Sequence, residues 1–171
     1  MNSTLDQTVF EELTSILRKE LEEYGALLSL LIEQQEHILN RKPDALFQIN
    51  EKVDVQMQTN HGLLNSRKRI LTDLANQLGR DEESTVSQLI PYFPEAVQPM
   101  FDSLTQEINN LIGNARSKVK QNQILLSRLS EVTNELLEAV APEGSITKTY
   151  DRRGDLTIKS NVENRTLKTT V

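Results

Sequence analysis

The residues best suited to chemistry are two histidines, three acidic runs and one basic triplet. His37 and His61 stand in no HxxxH or HExxH pattern, the spacings that bring two ligands together around a metal. Glu11–Glu12, Glu22–Glu23 and Asp81–Glu82–Glu83 read as solvated charged faces. Arg67–Lys68–Arg69 is too short to hold a nucleic acid. There is no Cys, so a disulfide framework, a thiolate metal site and a Cys nucleophile are excluded. GxSxG, Walker-type and GxGxxG loops are missing as well. The chain therefore reads as a non-enzyme without cofactor, metal or small-molecule substrate. Its chemistry must lie in its surfaces.

The elements that would present those surfaces are long helices. From Val97 to Val140 one stripe runs in alternating steps of four and three. It passes through Val97, Phe101, Leu104, Ile108, Leu111, Ala115, Lys118, Asn122, Leu125, Leu129, Val132, Leu136 and Ala139. Such a spacing averages about 3.5 residues, the period of a helix wound on a partner helix. Met100, Ile112, Val119, Leu126 and Val140 widen the stripe, so the helix can touch more than one neighbour. Lys118 and Asn122 interrupt it. They either fix register, as a buried Asn does in a seam, or sit at a wet bundle edge.

A first helix is expected over Thr4–Leu39, with the stripe Phe10, Leu13, Leu17, Glu20, Tyr24, Leu27, Leu31, Gln34 and Ile38. Gly25 in its middle marks a close helix crossing or is merely tolerated. Residues 40–44 form a joint, with Pro43 suited to a first turn. A second helix follows over Pro43–Leu78, where Asn60, His61 and Gly62 favour a bend or a frayed turn. Gly79 reads as its C-cap. Thr85–Ile90 allows one or two helical turns, which Pro91 and Pro94 stop. Pro94 or Pro99 opens the last helix, and Pro142 and Gly144 close it. The expected fold class is all-α: an elongated antiparallel helical bundle or coiled coil of three long helices plus a short connecting helix, with a flexible C-terminal tail. Residues 1–144 make the bundle and 145–171 the tail.

Within the tail, Ile146–Tyr150 and Leu156–Lys159 alternate with period two around the turn signal Asp151–Arg152–Arg153–Gly154, the pattern of a small hairpin. Asn161 onward is polar and Thr-rich and reads as disordered. From Ile146 on, six basic residues face three acidic ones. The whole chain carries −6, so the tail is at +3 and the body at −9. An acidic body argues against nucleic acid as the main partner. The 171 residues are 37% hydrophobic and 4% aromatic with no Trp, which suits a narrow bundle. No apolar run approaches the roughly 20 residues of a membrane span. Met1–Asp6 lacks the start of a signal peptide. The expected location is cytoplasmic.

Four segments, in order, resemble the FlgN family of flagellar export chaperones. They are Leu13–Leu21 continuing through Tyr24–Leu28 and Leu31–Gln35; Arg69–Ala75; Val119–Leu126; and Thr149–Gly154 with its Tyr and Gly. The likeness spans about Leu5–Leu156. One departure is Leu125, where the family often carries a second Asn three residues after the first. The resemblance implies a cytoplasmic chaperone of flagellar type III export. Such a chaperone binds the C-terminal helices of hook–filament junction (hook-associated) proteins. It prevents their premature assembly and delivers them to the export gate at the inner membrane, so membrane contact is only indirect. It uses no cofactor. Carried onto this chain, cargo binding falls to the final helix and the tail, on the helix at Asn122, Leu125, Leu129, Val132, Leu136 and Val140, with the tail ordering on binding. Docking on the gate's cytoplasmic platform falls to Tyr150, with Gly154 of the same segment. Read from the residues alone, the same stripes also suit a structural coiled-coil adaptor subunit of a larger helical assembly.

Overall fold

The protein is described by a computed structural model that covers residues 7–140, 146–150 and 156–160. It is an all-α bundle built on three long helices. These are α1 (Gln7–Leu39), α2 (Pro43–Gln77) and α4 (Gln98–Val140), with the one-turn α3 (Val86–Leu89) before α4. A 3-10 turn over Ile90–Tyr92 continues α3. The chain divides into two units, Met1–Leu126 and Ser127–Val171.

The joints are made locally. After α1, Lys42 N–H reaches His37 C=O at 3.1 Å and Arg41 N–H reaches Ile38 C=O at 3.1 Å. That pair of bonds is a Schellman cap. Its left-handed position is filled by Arg41 at φ 53°, not by Gly. Pro43 then opens α2, where its missing N–H costs nothing. The same cap closes α2, with Arg80 N–H on Ala75 C=O at 2.8 Å and Gly79 N–H on Asn76 C=O at 3.1 Å. Here Gly79 takes the positive φ of 64°. The backbone amide of Thr85 donates to Gln88 Oε1 at 2.8 Å, one half of a capping box. Pro99 falls in the first turn of α4.

Two alternatives left open in α1 and α2 are narrowed. α2 stays helical through Asn60, His61 and Gly62, so no frayed turn interrupts it there; Gln56 donates to the buried Asn60 one turn on at 3.1 Å. Gly25 marks no close crossing: a methyl group there would meet nothing within 4 Å.

In the first unit α1 and α2 form an antiparallel hairpin, as the pairings Glu20 with Arg67 and Gln34 with Asn50 require. α4 runs in the same direction as α1, with Phe10 beside Phe101 and Leu31 beside Asn122. The core is in two parts. The larger joins Leu13, Leu17, Leu74 and Leu89 to the ring cluster of Phe10, Phe93 and Phe101. Phe93 meets both other rings edge-on at 5.0 Å, the geometry aromatic quadrupoles favour. The smaller part holds Leu27, Leu31, Val53 and Ala115.

Between these parts lies a polar layer. Arg67 Nη1 is 2.6 Å from Glu20 Oε2. Gln56 donates to Glu23 and to Asn60.

In the second unit, strands β1 (Ile146–Tyr150) and β2 (Leu156–Ser160) pair antiparallel, Ile146 opposite Ser160 and Tyr150 opposite Leu156. The disorder expected from Asn161 onward lies outside the described residues.

Candidate functional site

The site expected from the sequence lies on α4, and its six residues fall into two environments. Asn122 is buried, 2% exposed, against α1. It donates to Leu31 C=O at 2.9 Å and to Gln34 Oε1 at 2.7 Å. Leu125 and Leu129 are half-buried. Val132, Leu136 and Val140 are 45%, 58% and 81% exposed. From Ser130 to Val140 every residue of the helix is exposed.

One residue was missed from the sequence. Leu137 is 56% exposed and continues the row of Val119 and Leu126, which lie eighteen and eleven positions before it. The strict three-four stripe steps over it. The signal was the second apolar row at steps of seven and eleven, which return to almost the same side of a helix.

The helix separates its own chemistry. With about 100° between successive residues, Leu129, Val132, Leu136, Leu137 and Val140 share one side, and Glu131 and Glu138 fall opposite. Thr133 Oγ1 is taken up by Leu129 C=O at 2.8 Å, which removes a polar hydroxyl group from the apolar side. Contiguous apolar surface of this kind on a soluble helix marks an interaction site. The arrangement can pack a second amphipathic helix; it holds no group placed to move a proton.

Tyr150 is the last residue of β1, opposite Leu156. Gly154 lies outside the described residues.

The two histidines lie apart on different helices. His37 Nε2 sits 3.4 Å from Glu33 on its own helix, and His61 is exposed on α2. Among the described residues no group of three His, Cys, Asp or Glu is placed to hold a metal ion. Burial raises the Glu20 carboxyl above its usual range, against the pull of Arg67 beside it. Burial, then Glu20, raises the Tyr24 hydroxyl. An open groove of about 790 Å³ lies between α1 and the start of α4, over Phe10, Thr14, Val97 and Met100. Its rim carries both signs of charge, Glu11 and Glu22 with Arg18 and Lys19. Among the described residues no helix is long and apolar enough to cross a membrane.

A protein-family model described as "FlgN protein" matches residues 1–158. No curated protein and no solved structure matches the chain.

Proposed function

The chain belongs to the FlgN family of flagellar export chaperones, and from that premise we propose that it shelters the C-terminal helices of hook-associated junction proteins in the cytoplasm. It then delivers them to the export gate. In this reading residues 1–144 are the chaperone body and 145–171 the tail, with Tyr150 and Gly154 docking on the gate's cytoplasmic platform.

The observation that carries the proposal is the exposed apolar side of α4. Val132, Leu136, Leu137 and Val140 leave surface in water that a folded chain ordinarily covers. The client's C-terminal ends are amphipathic and would otherwise pair with one another. Laying such a helix along Leu125, Leu129, Val132, Leu136 and Val140 removes apolar area on both partners, worth about 25 cal/mol per Å². Ordering the client helix offsets much of that gain. The net affinity stays moderate, as a client destined for export requires.

The test is titration of a junction protein's C-terminal peptide into the full chain and its variants. Leu136 is well exposed, so Leu136→Asp keeps the helical circular dichroism of the bundle. Losing one leucine contact worth about 1.5–3 kcal/mol weakens binding by about tenfold or more. Leu129→Asp acts in the same direction. Unchanged affinity in both variants removes the client from this face of α4.

A further inference from the structure

Resting on the reading of α4 as the client helix, we propose that the client's amphipathic helix lies along the seam between α1 and α4. On this assignment α1, at Gly25 and Ile32, forms the second wall of the client site.

The seam can be followed from both ends. At one end Thr14 on α1 and Val97 on α4 line the same open groove. At the other, Lys118 Nζ on α4 reaches Gln35 Oε1 on α1 at 3.0 Å. Both pairs stand 83 positions apart, and the two helices run in one direction. Steps of seven between the ends therefore bring Leu21 opposite Leu104 and Leu28 opposite Leu111. All eight residues are half-buried. Their inner sides are packed and their outer sides meet water.

The row outside the seam on α1 is Glu11, Arg18, Gly25 and Ile32, again at steps of seven. The first two line the groove, and Ile32 is 43% exposed. The matching row on α4 carries Met100, which lines the groove, then Asn114 and Gln121, the last 3.5 Å from Gln35. Gly25 is the informative position. Glycine inside a helix costs stability relative to Ala, and is kept where another backbone must come close. No neighbour within the chain uses the space, since a methyl group there would meet nothing within 4 Å. One turn on, Ser29 spends its hydroxyl on Gly25 C=O at 3.1 Å. Gly25, Ser29 and Ile32 thus make a low, uncharged wall, with uncharged Asn114 and Gln121 across the seam.

Three observations select the client helix as the occupant. Both walls repeat every seven residues, the period of a helix packed on helices, which an extended segment does not match. Leu125, the next step of the α4 row after Lys118, already belongs to the client face and is half-buried, so seam and face share a residue. The charged end of the groove sets Glu11 and Glu22 against Arg18 and Lys19. A basic tail gains nothing from that balance, and two acidic bodies repel one another.

The test titrates the junction protein's C-terminal peptide into the full chain. Gly25→Leu raises the urea midpoint, because the free chain leaves that space open. It nevertheless weakens the peptide about tenfold or more, because the bound helix occupies the space. Ile32→Asp weakens binding in the same direction. Glu12→Leu, exposed on α1 but off both rows, leaves affinity unchanged. The chain has no cysteine, so a benzophenone can be attached at Ser29→Cys or at Asn114→Cys. Both positions cross-link the peptide, and Glu12→Cys does not. A lowered midpoint or unchanged affinity in Gly25→Leu overturns the proposal, as does the lack of a peptide cross-link from both walls. A cross-link from either wall to the chain's own tail or to a second copy, with no peptide added, overturns it as well. If Leu136→Asp weakens the peptide and Gly25→Leu does not, the seam is excluded while the α4 assignment stands. If only Gly25→Leu weakens it, the seam holds the client and the end of α4 does not.

Discussion

The buried pair of Glu20 and Arg67 gives the sharpest prediction about the bundle itself. Glu20 has no exposed surface, whereas the Arg67 side chain is 20% exposed. The two partners are therefore not equivalent. Arg67→Met strands a carboxylate with one oxygen already unpartnered, at a cost of about 3–5 kcal/mol near neutral pH. Glu20→Gln leaves an acceptor for a guanidinium that reaches water, and costs only about 1–2 kcal/mol. Replacing both, Glu20→Leu with Arg67→Met, returns the stability to within about 1 kcal/mol of wild type or raises it.

The Arg67→Met deficit also depends on pH. Burial holds the Glu20 pKa above the unfolded 4.5 even with Arg67 present, and without Arg67 it rises further. A raised carboxyl binds its proton more tightly in the folded chain. Its contribution is therefore complete below the unfolded pKa and is lost as pH rises through the folded one. The deficit is accordingly smaller at about pH 5 than at about pH 8. Urea denaturation followed by circular dichroism at both values measures it. The reasoning is refuted if Glu20→Gln proves costlier than Arg67→Met, or if the Arg67→Met deficit is the same at both pH values.

Two further outcomes follow from other parts of the chain. Gly25→Ala, where a methyl meets nothing, raises stability by about 0.5–1 kcal/mol. Gly79→Ala, at φ 64°, lowers it by about 1–2 kcal/mol; thermal denaturation checks both signs. If Tyr150 docks on the gate, Tyr150→Ala keeps client-peptide affinity within about twofold and reduces secretion of junction proteins in an export assay. A fall in affinity instead would move that tyrosine to the client site.

Much of the fold was legible because helices and their ends are local. The three-four steps of apolar residues, Pro43 after a basic joint and Gly79 after Leu78 each act within a turn or two. The observed helices start and stop close to those signals. Arg41 in the left-handed position was not legible, since no residue type announced it. The Schellman bonds over His37–Lys42 impose that conformation.

The candidate site was legible only as a stripe. Periodicity tells which residues share a side of α4, but not what that side meets. Asn122 and Leu136 belong to the same stripe, yet one is sealed against α1 and the other lies open. Likewise Glu20 stands in an apolar row of α1, and only the arrival of Arg67 from a residue 47 positions away explains how its charge is borne. Sequence alone determined the helices, their limits and their greasy sides, because those depend on neighbours in the chain. Tertiary structure decided which parts of each side are covered, because burial is summed over atoms that only folding brings near.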